Sequence, residues 1–137
     1  MLKDIELDIS IGAEAGIAIT CKINEDLEES WEVYLINQGN LDFSNVLVTC
    51  KGYGIINNEE RTTSTMRYFL GDVPTFSAKL IEPVNAELFV LHNEYFITFY
   101  MDGNIFDKKI IFPAHSISTD VLAENSILGM KALVKTL

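Results

Sequence analysis

The sequence predicts an all-β chain, and three observations carry that prediction. Residues 31–37 alternate, with Trp31, Val33 and Leu35 on one face and Glu32 and Tyr34 on the other. Period two in β-branched and aromatic residues is the signature of a half-buried strand. Two apolar runs then flank Asp102-Gly103, a dipeptide that supplies the positive φ angles of a type I′ hairpin turn. Finally, short apolar runs recur along the whole chain, separated by Gly, Asn and Pro turns, which is the rhythm of a sandwich or a barrel.

Taken in order, the first 24 residues predict two strands, near 4–11 and 16–23, followed by an acidic loop over Glu25, Asp26, Leu27, Glu28 and Glu29. The Trp31 strand is broken by Gln38-Gly39-Asn40. Val46, Val48 and Cys50 continue the alternation until Gly52-Tyr53-Gly54, and Asn57 to Glu60 read as a polar loop. Residues 62–70, rich in Thr and aromatics, predict a further strand, with a turn at Gly71-Asp72-Val73-Pro74. A strand over 76–81 is expected to stop at Pro83. Residues 87–92 suit a short strand or a turn of helix. The Asp102-Gly103 hairpin sets Phe99 opposite Phe106 and Tyr100 opposite Ile105, and its first arm, apolar on both faces, suits a central strand. Ser118-Thr119 predicts a cap for a short helix over 120–124. Residues 127–137 read as a strand or a docked extension. Together these predict a single domain over 1–137, a β-sandwich of immunoglobulin-like architecture, with a small closed β-barrel as the alternative.

Composition narrows the function classes. The 137 residues are 48% hydrophobic and 22% charged, enough to build a packed core. The net charge is −10, from 10 Lys+Arg against 20 Asp+Glu. That balance repels phosphate, so neither nucleic acid nor an anionic membrane is an expected partner. No apolar stretch reaches the roughly 20 residues of a spanning helix. Acidic residues interrupt Met1-Leu2-Lys3-Asp4-Ile5-Glu6 at once, unlike a signal peptide. No Asn-x-Ser/Thr sequon occurs. Cys21 and Cys50 are the only cysteines, and the expectation is two buried, reduced thiols in a cytoplasmic protein rather than a Cys21–Cys50 disulfide.

Catalytic constellations are missing from the sequence. It holds no Gly-x-Ser-x-Gly elbow, no phosphate loop and no His-Glu-x-x-His. His115, Ser116 and Asp120 are neighbours in sequence, which does not supply the hydrogen-bonded geometry of a nucleophile and its base. The pairs Glu28/Glu29 and Glu59/Glu60 fall in expected loops. The acidic loop lacks the ligand spacing and turn Gly of a calcium-binding EF-hand, and no close-spaced zinc set exists. The expectation is therefore no enzyme, no cofactor and no metal. Trp31 is expected in the core. Tyr53, held between two glycines, is a candidate contact residue, as are Thr63, Thr65 and Arg67 on the 62–70 strand, read as a sheet edge guarded only by Arg67. A protein strand or a second copy of the chain is the expected partner, through a sheet edge or face. The alternative is a small-molecule binder, or an enzyme without a recognisable motif, with a pocket at one sheet end.

Three stretches taken together, Trp31-Glu-Val-Tyr-Leu-Ile-Asn37, Asn45-Val-Leu-Val-Thr-Cys-Lys-Gly-Tyr-Gly54 and Asn93-Glu-Tyr-Phe-Ile-Thr-Phe-Tyr-Met-Asp-Gly103, resemble an uncharacterised family of small bacterial proteins. Thr63-Ser64-Thr65-Met66-Arg67 and Asp107-Lys108-Lys109 add to the likeness, which covers most of residues 31–112. Members of that family often carry the label phenylalanyl-tRNA synthetase α subunit. The label is at odds with the residues. Gly52-Tyr53-Gly54-Ile55 opens like the glycine-rich third motif of class II synthetases, but Glu59 stands where the nucleotide-binding Arg belongs and Arg61 comes two residues late. The chain is also short for that catalytic domain and has no basic cluster for tRNA. The resemblance implies no activity, and aminoacylation is not expected.

Overall fold

The computed structural model describes residues 15–137, so the strand expected near 4–11 lies outside the described residues. The chain forms β1 (Ala15–Ile23), β2 (Glu29–Asn37), β3 (Phe43–Ile56), β4 (Glu59–Thr62), β5 (Met66–Val73), β6 (Ser77–Val84), β7 (His92–Met101), β8 (Asn104–Phe112), β9 (Ala123–Asn125) and β10 (Met130–Thr136). Two antiparallel sheets pack face to face. The first runs β6-β2-β1-β10-β9; the second runs β4-β3-β7-β8, with β5 also paired to β3. The open pair of sheets replaces the closed barrel held as the alternative.

The inner faces build the core from the alternation that the sequence displays. Trp31, Val33 and Leu35 of β2 meet Val46, Val48 and Cys50 of β3 and Tyr95, Ile97 and Phe99 of β7, and all are buried. Asp102 and Gly103 adopt φ of 51° and 78°, and the hairpin pairs Phe99 with Phe106 and Tyr100 with Ile105, as the turn type requires. The outward face of β7 is not buried: Phe96 and Tyr100 are exposed.

Several boundaries move, each for a local reason. Gly52-Tyr53-Gly54 does not end its strand. β3 runs on to Ile56, and the expected loop contracts to Asn57-Asn58, whose φ of 52° and 65° make a two-residue hairpin turn into β4. Residues 62–70 are not one strand. They span the end of β4, a gap, and most of β5, because β3 is long enough to pair with both. The turn expected at 71–74 shifts to Pro74-Thr75-Phe76, with Phe76 at φ 54°. Pro83 does not stop β6: it pairs with Glu32 on an edge strand, where a missing donor costs no ladder bond. Residues Ala86–Val90 form a 3-10 turn capped by the Asn85 side chain. The helix expected over 120–124 is a 3-10 turn, Thr119–Val121, without a side-chain cap from Ser118. The C-terminal residues supply β10, paired with β1.

The two outer faces differ. On the first sheet, Ala18, Ile36 and Ala132 are covered by Ile127 and Leu128 of the segment joining β9 to β10. On the second sheet, large apolar side chains face outward, and no described residue covers them.

Candidate functional site

The strand register assembles the outward face of the second sheet row by row. Phe69 of β5 lies opposite Leu47 of β3, which lies opposite Thr98 of β7, then Asp107 of β8. The next row is Arg67, Thr49, Phe96 and Lys109, and the one beyond begins Lys51, Glu94 and Ile111. Tyr100 and Ile105 pair at the hairpin end. Phe69 is 70% exposed, Ile105 57%, Tyr100 41%, Phe96 40% and Leu47 38%. Directly opposite and diagonal neighbours on one face of a sheet are within side-chain reach, so these five form one apolar patch.

The charge on this face is balanced, unlike that of the chain. Lys51, Arg67 and Lys109 stand among its outward residues with Glu94, Asp107 and, opposite Ile55 on β4, Glu60. That is three cations to three carboxylates, where the whole chain has 10 to 20. The row of Arg67, Thr49, Phe96 and Lys109 holds two cations and no carboxylate. Asp107 accepts a hydrogen bond from the Thr98 hydroxyl at 2.9 Å. Lys51 approaches Glu94 at 4.0 Å and lies 5.9 Å from the Tyr53 ring centroid. Thr49, Lys51, Thr65, Phe96 and Lys109 line a shallow depression of ≈320 Å³ on the face.

The structure brings three of the four sequence-predicted contact residues to this surface. Arg67 lies on the face, Thr65 on the rim of the depression, and Tyr53 at the end of the outward row beside His92, with ring centroids 5.4 Å apart. Thr63 has a different role. Its hydroxyl accepts from the Gly52 N–H at 2.8 Å, and its own N–H donates to the Gly52 carbonyl at 2.9 Å, bridging the gap between β4 and β5. The expected edge is also guarded otherwise than the sequence indicated: the Lys79 ammonium donates to the Leu70 carbonyl of β5 at 2.7 Å. A cation on an edge carbonyl is a standard defence against strand pairing.

At the end of the same sheet, Tyr53, Arg61, Thr62, His92, Ala114 and His115 line an open pocket of ≈550 Å³. His92 Nδ1 accepts from the Ala114 N–H at 3.0 Å, which leaves the neutral ring's proton on Nε2. Arg61 is already paired with Glu59 at 3.2 Å. The Ser116 hydroxyl donates to the Pro113 carbonyl at 2.6 Å instead of engaging His115. Among the described residues no three His, Cys, Asp or Glu side chains gather as a metal site would need. Both cysteines are free thiols.

Sequence reasoning missed one polar cluster altogether. The Glu82 carboxylate accepts from the Tyr68 hydroxyl at 2.8 Å, the Tyr95 hydroxyl at 3.0 Å and the Cys50 thiol at 3.5 Å. Burial, then the charge of Glu82, push the Cys50 thiol up to about 12. Burial, then the hydrogen bond to Glu82, push Tyr68 up to about 12, and burial drives Tyr95 further upward. All three donors therefore keep their protons at neutral pH, and Cys50 is no nucleophile there. No protein-family model matches the chain, and no curated protein matches it.

Proposed function

We propose that the chain is a non-enzymatic protein-interaction module of a cytoplasmic protein, which docks an acidic, apolar-bearing segment of a partner protein on the outward face of its second sheet. One observation carries this reading: Phe69, Leu47, Phe96, Tyr100 and Ile105 lie exposed and contiguous among Lys51, Arg67 and Lys109, in a chain whose net charge is −10. Exposed apolar patches with a polar rim mark interaction sites. The row of Arg67, Thr49, Phe96 and Lys109, cationic without a carboxylate, selects a partner of the opposite sign and rejects basic ones. The face is favoured over the edge because the β4–β5 gap shortens the edge and Lys79 occupies one of its carbonyls. Neither a nucleic acid nor a membrane fits the remaining acidic surface. Among the described residues no helix is long and apolar enough to cross a membrane.

The immunoglobulin-like reading of the sandwich has support in its strand neighbours. β1-β2-β6 match the A-B-E order and β3-β7-β8 the C-F-G order of that fold. The departures are β5, which pairs with β3 rather than β6, and β10 and β9, which extend the first sheet beyond β1.

The docking face is tested with two extended synthetic peptides, one alternating Glu with Leu and one alternating Lys with Leu, titrated while backbone amide resonances are followed by NMR. The acidic peptide is expected to shift Leu47, Phe69 and Phe96, more weakly as salt rises. The double variant Arg67→Glu/Lys109→Glu is expected to reverse the preference while the fold is unchanged. Shifts that ignore peptide charge, map to another surface or do not occur overturn the proposal. The ≈550 Å³ pocket beside His92 and Arg61 favours a second reading, small-molecule binding at the sheet end, which saturable shifts confined to Tyr53, His92 and Ala114 in a metabolite screen would support.

A further inference from the structure

Three departures from regular sheet geometry converge on the Glu82 carboxylate. The first is a β-bulge in β6. Val33 pairs with Glu82 and Tyr34 with Leu80, so Ile81 is an extra residue in the ladder. In an unbroken strand Ile81 and Glu82 would point to opposite faces. Here Ile81 is 5% exposed in the core, while Glu82 lies opposite the buried Val33 and reaches the side chains of the other sheet. Bulges that re-aim a side chain recur beside functional sites. The second departure is the gap between β4 and β5. Thr63 satisfies both backbone groups of Gly52, and Thr63, Ser64 and Met66 then form one wall of an opening at the sandwich edge. The third is Gly52 itself, where a Cβ would stand 3.3 Å from the Thr63 methyl and 3.4 Å from Leu91. Behind this opening lies a cavity of ≈210 Å³ lined by Cys50, Gly52, Met66, Glu82, Leu88, Asn93 and Tyr95, among others.

The chemistry of this cavity is one-sided. Its one acidic side chain is held by neutral donors from β3, β5 and β7, and among the described residues no Lys or Arg forms an ion pair with it. Lys51 also lines the cavity, but its ammonium is directed to Glu94 and the Tyr53 ring on the outward face. A half-buried carboxylate is stabilised most by a cation that enters its desolvated surroundings. Tyr95, Met66 and Leu88 supply the apolar and polarisable walls that suit an alkyl chain or a cation against aromatic faces. We propose that this cavity is a binding site for a small alkylammonium ion, with Glu82 as its counter-ion and the Tyr68, Tyr95 and Cys50 donors fixing the carboxylate in place. The ammonium belongs either to a free amine or to a lysine side chain presented by a protein. The site shares only Cys50 and Lys51 with the depression on the docking face, and its counter-ion Glu82 is not part of that face, so either proposal stands if the other fails.

The experiment titrates the full chain with n-butylammonium, with n-butanol as the neutral isostere, and with a short peptide carrying one lysine, followed by amide and methyl NMR. The butylammonium ion, the lysine peptide or both are expected to give saturable shifts at Gly52, Met66 and Leu88, at affinities of about 1 mM or better, and butanol is expected to give none. Binding by butylammonium alone assigns the site to free amines, and binding by the peptide alone assigns it to a protein lysine. Glu82→Gln keeps the shape and an acceptor for the donors but removes the charge. It is expected to weaken binding at least about tenfold, a change of about 1.4 kcal/mol, with far-UV circular dichroism unchanged. Tyr68→Phe, which leaves the charge intact, is a second variant in case the first unfolds, and is expected to retain selectivity for the ammonium over butanol. Absence of saturable shifts with either cation, equal response to butanol, or undiminished binding by a folded Glu82→Gln protein overturns the proposal.

Discussion

Trp31→Ala tests the architecture most directly. Trp31 is 5% exposed and meets Phe89 edge-to-face, with ring centroids 5.0 Å apart and planes at 84°. Its side chain therefore ties β2 to the 3-10 turn that leads into β7. An indole of this size buries up to about 250 Å², or roughly 6 kcal/mol at about 25 cal/mol/Å². The compactness of unfolded chains lowers that ceiling by roughly 10–40%, Ala retains a part, and the lost ring pair adds back about 0.5–1.5 kcal/mol. The expected loss is about 3–5 kcal/mol, the range of large-to-small core changes. The hydrogen bond from the indole N–H to Glu29 at 3.2 Å lies at an exposed strand end and adds little. Trp31 is the only tryptophan, so the variant has no indole fluorescence, and urea titrations of both proteins are best followed by far-UV circular dichroism. A loss under about 1 kcal/mol would show that the β2–Phe89 packing does not hold the sheets together.

Two further predictions concern protons and close approach. Cys50, Tyr68 and Tyr95 all bind their protons more tightly in the folded protein. The unfolded chain therefore deprotonates first, beginning with Cys50 near 9.0, so stability is complete below that pH and declines as pH rises toward about 12. Urea midpoints at pH 8 and at about pH 11 check this, and a midpoint that rises with pH would contradict the placement of the three groups around Glu82. Gly16→Ala puts a Cβ 2.5 Å from the Lys135 carbonyl oxygen of the paired strand, so β10 must move away from β1. The expected cost is about 1–3 kcal/mol by the same titration, and an unchanged midpoint would place β10 elsewhere.

What the sequence made legible is whatever depends on near neighbours. Asp102-Gly103 dictates its own turn and with it the register of eighteen flanking residues, nine in each arm, from Asn93↔Phe112 to Met101↔Asn104. The alternation at Trp31, Val33 and Leu35 names its inner face, although the opposite face also ends apolar at Ile36, which is buried under Ile127 and Leu128. The errors fall where a distant strand decides. Gly52 and Gly54 read as a strand end, yet they sit inside β3, where Thr63 and Leu91 stand 3.3–3.4 Å from the place a Cβ would take and crowd it. Residues 62–70 have uniform β propensity, but β3 and the Thr63–Gly52 bonds split them. Thr65 belongs to neither strand, so proline there would remove no ladder donor, contrary to what a continuous strand implies. Glu82 was invisible for the same reason: beside Pro83 it reads as a strand terminus, and only the bulge against Val33 and Tyr34 turns it inward.

The contrast between the two outer faces supports the proposal of a docking surface on the second sheet. Both sheets carry apolar residues outward, since β1 is buried on both sides and β7 has Phe96 and Tyr100 on its outer side. The chain resolves this for the first sheet from its own length, folding Ile127 and Leu128 back over Ala18, Ile36 and Ala132. It does not do so for the second sheet with any described residue. It places Arg67 and Lys109 in one row with Phe96 instead. Charges interspersed with an apolar patch keep an exposed surface soluble, and on the proposed reading the Arg67/Lys109 row is where an acidic partner is attracted rather than repelled. Replacing Phe69 and Phe96 with Ser should therefore leave the core intact and lower the urea midpoint only modestly, because Phe69 is 70% exposed and Phe96, at 40%, lies on the outer face rather than in the core, while it removes the response to the acidic Glu/Leu peptide. A large loss of stability in that variant would mean that the patch packs against the chain itself, and the docking reading would fall with it.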